Sequence, residues 1–375
     1  MNASSPLIDL ISSKRIIVTC GAGGVGKTTI SATLAICAAR MGKRVLVVTI
    51  DPSKRLAETL GVSRNPPEPV RLPDDRLLQV GVAPPGALEA WMLDPQLVAD
   101  NVVRRFSRTE EQAEELLQNR IYRNVTAMVA GMQEYTAVEA LHQFIVSDRY
   151  DLIVLDTPPS RNALNFLAAP GRVEKFMDGR VFKYFLPSNE SIMARAASKA
   201  VVSVMDLAFG QEAREELMSF FGLFSSILSR LSTNAQDMRK VFHDPSAAFI
   251  VVTSPAHEAL AEARYFEHQT RDQLHLPLTG YLLNRSLATD AQYPYPDDAY
   301  FALSGLSPSA IESFQRIAQL ELSTIEQHRA LLDEISERVG KKVFVTALPQ
   351  IGDGVSDLIA LNALVDRIQL QPDPS

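Results

Sequence analysis

Cysteine is scarce in this sequence, with two in 375 residues. Cys20 and Cys37 lie in apolar runs, form no CxxC pair and have no histidine at ligand spacing. That excludes a disulfide framework and a structural zinc as expectations, and both thiols read as core residues. No run of eighteen uncharged apolar residues occurs, so no membrane-spanning helix and no stable membrane insertion are expected. The opening stretch MNASSPLIDLISSKR lacks an apolar segment of signal-peptide length, which makes a cytoplasmic protein the expectation. Basic excess is missing too: 37 Lys+Arg against 44 Asp+Glu leave a net charge of −7, which speaks against a surface made for nucleic acid.

What is present is a succession of short apolar runs. Arg15–Cys20, Arg44–Ile50, Leu77–Val82, Asp151–Leu155, Ala248–Thr253, Leu278–Asn284 and Val343–Ala347 read as strands. Continuous apolar strands alternating with helical patterns predict an α/β fold with a mainly parallel sheet covered on both faces. Two stretches, at about 86–150 and 172–244, have helical periodicity and are expected as helical layers or insertions within one domain spanning 1–375. In the second, Leu217, Phe220, Phe221, Phe224, Ile227, Leu228 and Leu231 recur at three- and four-residue steps. Two readings stand for this stripe: ordinary packing on neighbouring helices, or, with Met193, Met205, Met218 and Met238, an adaptable apolar groove for a client. Ser307-Pro308 predicts a helix start, with Gly340 as its stop after Val339, and Tyr293–Asp298 reads as an irregular loop.

The strongest chemical signal is Gly21-Ala22-Gly23-Gly24-Val25-Gly26-Lys27-Thr28-Thr29, which fits G-x-x-x-x-G-K-T between a buried strand and a helix start. Glycines let successive backbone N–H groups turn toward phosphates, and the helix N-terminus adds its positive dipole end. Lys27 supplies a point charge to the β- and γ-phosphates, Thr28 offers a hydroxyl to Mg²⁺, and Thr29 is expected at the α-phosphate. Asp156 follows the run Asp151–Leu155, which places a carboxylate beside this loop, where it can hold Mg²⁺ directly or through water. Asp51 closes the second strand before Pro52 and faces the same carboxyl edge of the sheet. It reads as the group that orients an attacking water, with plain helix capping as the other reading.

Taken together these residues resemble the ArsA-type ATPases, the family of the arsenite-pump ATPase and the tail-anchored-protein targeting factor. The resemblance rests on GAGGVGKTT, on the switch I-like Thr49-Ile-Asp-Pro-Ser-Lys-Arg-Leu56, and on the switch II-like Asp156-Thr-Pro-Pro-Ser-Arg-Asn-Ala-Leu164. Gly131-Met-Gln-Glu-Tyr135 falls where that family has a Gly-x-x-Glu turn. The resemblance implies a P-loop NTPase fold with a deviant Walker A loop, Mg·ATP as ligand, ATP hydrolysis and a homodimer. It also implies that Asp51 helps activate water and that Asp156 serves Mg²⁺. In the same way Asn284 is expected to contact adenine, and the loop Leu348-Pro349-Gln350 to cover the base through Pro349. Three positions depart from the pattern. Ala22 stands where the family's signature lysine reaches across a dimer, Ser160-Arg161-Asn162 replaces Gly-His-Thr, and Lys54 replaces a histidine. These forms resemble a bacterial branch of the family.

The expected activity is therefore a molecular switch that binds and hydrolyses ATP and is coupled to a client, either a hydrophobic protein segment or an anion-transport partner. With no lysine at position 22, Arg161, or else Arg55, is the expected source of the missing catalytic charge. The rival readings are a ParA- or MinD-like positioning ATPase and a nucleotide-gated scaffold without turnover. The helical pattern Val355–Leu370 carries a single basic residue, Arg367, which disfavours membrane docking.

Overall fold

The computed structural model describes residues 5–50, 55–63, 66, 68–119, 122, 132–178, 220, 227, 230, 233–289, 306–351 and 357–370. Eight strands form one sheet: β1 (Ile16–Cys20), β2 (Arg44–Thr49), β3 (Val70–Arg71), β4 (Ala87–Met92), β5 (Leu152–Asp156), β6 (Ala247–Thr253), β7 (Leu278–Leu283) and β8 (Phe344–Ala347). Their order is β3-β4-β2-β5-β1-β6-β7-β8. Every neighbouring pair is parallel except β3–β4. β1, β5 and β6 are buried along their whole length, which is why they appear in the sequence as unbroken apolar runs instead of an in–out alternation.

The chain divides into two compact units. The first, residues 1–92, 151–161 and 245–375, contains the sheet. Its helices are α1 (Pro6–Ser13), α2 (Lys27–Arg40), α3 (Arg55–Leu60) and α4 (Asp74–Gln79), followed after the second unit by α10 (His257–His268), α11 (Pro308–Val339) and α12 (Leu358–Leu370). The α2 helix is buried along most of its length. Leu361, Leu364, Val365 and Ile368 of α12 belong to the same apolar cluster as Ile36 and Ala39 of α2. Arg40, in the last turn of α2, ties these parts together. Its Nε donates to the Val80 carbonyl at 2.6 Å, its Nη1 to Asp366 at 2.7 Å, and its Nη2 to Asn362. A second charged cluster joins α10, β7 and α11: Glu267 accepts from the Tyr281 hydroxyl at 2.8 Å and pairs with Arg271 and Arg338.

The second unit, residues 93–150 and 162–244, is helical: α5 (Pro95–Phe106), α6 (Glu110–Gln118), α7 (Met132–Val146), most of α8 (Ser160–Asp178), and α9 over 233–243. Thr109 caps α6 by accepting from the Gln112 N–H, and Arg104 pairs with Glu114 at 2.6 Å. Phe166 and Phe242 meet edge to face with ring centroids 5.9 Å apart. Within the apolar stripe expected over 217–231, Phe220 and Ile227 are buried; its other apolar positions lie outside the described residues, as does the loop 293–298.

One expected strand is corrected. Residues 77–82, read as a strand, carry the end of helix α4 and a turn, and the strand that enters the sheet is Ala87–Met92. Asp74 and Asp75 lie in the first turn of α4, where acids favour a helix. Leu77 faces the core while Leu78 is exposed, the asymmetry of a short amphipathic turn. The helical stretch expected from about 86 accordingly begins at Pro95. The helix predicted from Ser307-Pro308 to Val339 is present, with the Ser307 hydroxyl accepting from the Ala310 N–H and Gly340 closing it at φ 76°.

Candidate functional site

β1 leads into the glycine loop and then into α2, whose N-cap is Gly26. Gly24 and Gly26 have φ of 77° and 95°, values that favour glycine because an L side chain is strained there. A Cβ on Gly21 would come within 2.0 Å of the Val252 carbonyl oxygen of β6, so the loop leaves the sheet against backbone. Gly23 and Gly24 are exposed, and Val25 is buried. Lys27 is 6% exposed and its ammonium donates to the Ala22 carbonyl at 2.8 Å. The Ser31 hydroxyl donates to the Lys27 carbonyl at 3.0 Å and lies 2.7 Å from the Thr19 hydroxyl. This fixes the first turn of α2 on the end of β1.

Asp156, the last residue of β5, is fully buried. Parallel register sets Thr49 of β2 on one side of it and Thr19 of β1 on the other. Its Oδ2 accepts from the Thr28 hydroxyl at 2.8 Å and from the Thr49 hydroxyl at 3.0 Å. The structure thus brings Thr28 and Asp156 together as the motif predicts. Thr49 is a site residue that the motifs do not single out, since it appears there only as part of a switch-like segment. The available signal was its place as the final residue of a buried strand, which register brings level with the strand ending in Asp156. The turn after β5 closes on the loop as well: the Thr157 hydroxyl donates to the Thr19 carbonyl at 2.8 Å, and a Cβ on Gly23 would lie 3.8 Å from the Pro159 ring. Ser160 donates to Glu262 at 3.1 Å, and Arg161, in the first turn of α8, is exposed. Arg55, the first residue of α3, is exposed too. Asp51 and Lys54 lie outside the described residues, as does Gly131.

Asn284 follows β7 and is 5% exposed. Its Nδ2 donates to the Val25 carbonyl at 2.8 Å, which places it on the phosphate loop. The neighbouring strand end is pinned through Ser286 N–H to the Leu348 carbonyl at 2.9 Å, and Pro349 next to it is buried. The turn after Asn284 is also held from α11, where the Leu287 N–H donates to Nδ1 of His328 at 3.0 Å. That bond requires an unprotonated Nδ1, and partial burial holds the His328 pKa below its ordinary value. Burial also pushes the thiols of Cys20 and Cys37 up to about 12. Among the described residues, no group of three or more His, Cys, Asp or Glu could hold a metal ion. The oxygen set around Asp156 does suit a hard divalent cation that keeps several of its waters.

The pattern of the anion-transporting ATPase family matches residues 14–292. The chain belongs to that family. As an anion-transporting ATPase family member it is similar to the putative arsenical pump-driving ATPase 1 of Aquifex aeolicus (strain VF5), with 25% identity over 255 residues, 67% of this chain and 58% of that protein. It is also similar to the ATPase GET3B of Arabidopsis thaliana, at 27% identity over 255 residues, 65% of this chain and 57% of the relative. Protein Rv2184c of Mycobacterium tuberculosis is 32% identical over 167 residues, 42% of this chain and 37% of its own length. The chain thus spans just over half the length of the first two relatives and less of the third. The ArsA-type resemblance read from the motifs and the mainly parallel P-loop fold are both borne out. No helix among the described residues is long and apolar enough to cross a membrane.

Proposed function

We propose that this protein binds Mg·ATP at the loop Gly21–Thr29 and hydrolyses it slowly, driving a conformational cycle of a homodimer that engages and releases a client. The observation that carries this reading is the Thr28 hydroxyl held 2.8 Å from the buried Asp156 carboxylate at the start of α2. Thr28 and Asp156 would hold Mg²⁺, and the ion when bound offsets charge on the β- and γ-phosphates. The backbone amides of Gly23, Gly24, Val25 and Gly26 face the phosphates, helped by the helix N-terminus. The Lys27 ammonium exchanges the Ala22 carbonyl for a phosphate oxygen, and Thr29 lies at the α-phosphate. Asp51, two residues beyond Thr49, orients the water, and Pro349 borders the base.

Phosphoryl transfer also needs a cation that meets charge developing on the transferred group, worth roughly 10³ to 10⁵ in rate where an arginine supplies it. The exposed Arg161, two residues beyond the proline that borders Gly23, fits that role, and Arg55 is the second choice. The partner named for the Aquifex relative, an arsenical pump, would call for accessible thiols. Cys20 and Cys37 are buried, which disfavours an anion recognised through thiols. A positioning ATPase held on a membrane by its last helix is disfavoured, because the apolar face of α12 is packed in the core.

Phosphate release by wild type and Asp51→Asn, with solution mass without nucleotide, with ADP and with an ATP analogue, tests the reading. Turnover lost in Asp51→Asn together with a nucleotide-dependent mass supports it. Equal background rates would leave a nucleotide-gated scaffold instead of an ATPase.

A further inference from the structure

The Asn284 amide does something that a base-contacting residue need not do. Its Nδ2 donates to the Val25 carbonyl, inside the phosphate loop, from a position fixed on the far strand by its own N–H, which donates to the Thr253 carbonyl at 2.8 Å. The orientation of the amide is set by chemistry, since a backbone carbonyl can only accept. The Val25 carbonyl precedes the first helical bond of α2, which runs from the Ile30 N–H to the Gly26 carbonyl. A Cβ on Gly26 would lie 2.3 Å from Asn284 Nδ2. The glycine therefore serves two purposes: it takes φ of 95°, and it leaves the room into which the amide fits.

In a trans peptide the carbonyl and the following N–H point in opposite directions. Holding the Val25 carbonyl toward Asn284 turns the Gly26 N–H away from it. We propose that Asn284 is a positioning residue for phosphate binding, which fixes the Val25–Gly26 peptide so that the Gly26 N–H is aimed at the phosphate before any nucleotide arrives. This rests on the reading of the loop as a nucleotide site, and it gives Asn284 a role at the phosphates through Nδ2, beside the base contact that the family resemblance implies and for which Oδ1 is left.

Inorganic tripolyphosphate with Mg²⁺ separates the two roles because it has no base. Asn284→Ala, and Asn284→Leu as a variant of similar size without a donor, are compared with wild type for tripolyphosphate, ATP and GTP binding. Amide hydrogen exchange of residues 22–27 is followed in the ligand-free proteins. The expected result is a roughly five- to tenfold loss for tripolyphosphate, the scale of one buried hydrogen bond. ATP should weaken by at least the same factor. Exchange should quicken in 22–27 while the amides of β2 and β5 keep their rates. Tripolyphosphate affinity within twofold of wild type, or unaltered exchange in 22–27, would overturn the proposal; a collapse of the ATP-to-GTP ratio in its place would leave Asn284 the base contact alone. A wild type that binds neither tripolyphosphate nor ATP would overturn the nucleotide reading itself.

Discussion

Replacing Thr49 by valine removes a single oxygen from beside Asp156 and nothing from the packing. Thr49 is 2% exposed and its hydroxyl donates to the carboxylate at 3.0 Å. Valine has nearly the same shape and favours a strand, so no cavity is left and the melting temperature should fall only by the few degrees that one lost hydrogen bond costs. A hydrogen bond to a charged group contributes about 1.5–3 kcal/mol. The Thr28 hydroxyl still holds Oδ2 at 2.8 Å, which places the loss at the lower end, about 1.5 kcal/mol, or roughly a tenfold change in an equilibrium constant. The expected readout is a roughly tenfold rise in the Mg²⁺ concentration that half-saturates binding of a fluorescent ATP analogue. Binding without Mg²⁺ should be unchanged, and Thr49→Ser should behave as wild type. A valine variant whose Mg²⁺ midpoint lies within twofold of wild type would refute the claim that Thr49 holds the carboxylate in place for the ion.

Other outcomes follow from the same geometry. Mg·ATP should raise the melting temperature of wild type and leave that of Lys27→Ala unmoved, since Lys27 bonds a loop carbonyl; equal shifts would remove the phosphate-loop assignment. Iodoacetamide at pH 8 should label neither Cys20 nor Cys37 until denaturant is added, because burial places both thiols near 12, and mass spectrometry of the native protein reads this directly. His328 has a lowered pKa in the folded protein, so the fold binds fewer protons there than the unfolded chain. Its contribution to stability is complete above the ordinary histidine value and fades as pH falls through that value toward the folded one. Urea melts at pH 7.5 and 5.5 should therefore show a wild-type advantage over His328→Ala that shrinks at the lower pH, and a constant gap would contradict the bond to Leu287.

The central strands were legible because burial on both faces makes β1, β5 and β6 apolar up to their C-terminal ends, where Thr19, Asp156 and Thr253 stand. The strand next to the edge was harder. In Ala87–Met92, Glu89 stands in mid-strand and is only partly covered, whereas Leu77, Val80 and Val82 look like a run although they bury from a helix end and its turn. The phosphate loop could be read because glycine, lysine and threonine at fixed spacing are tied to a backbone shape. Thr49 could not, because a threonine at a strand end resembles any β-branched residue until register sets it beside Asp156. The position of Asn284 on the Val25 carbonyl was equally silent, since it depends on two segments 259 positions apart in sequence.

The clamp formed by Arg40 bears on how the chain is made. The phosphate-loop helix leaves the ribosome well before the carboxylate that holds its last turn, Asp366, which follows 326 residues later. β1 likewise sits between β5 and β6, both synthesised long after it. Contacts so distant along the chain make loop closure costly before any packing compensates it. During synthesis the face of α2 that α12 covers is therefore left without that cover until residues 358–370 have emerged.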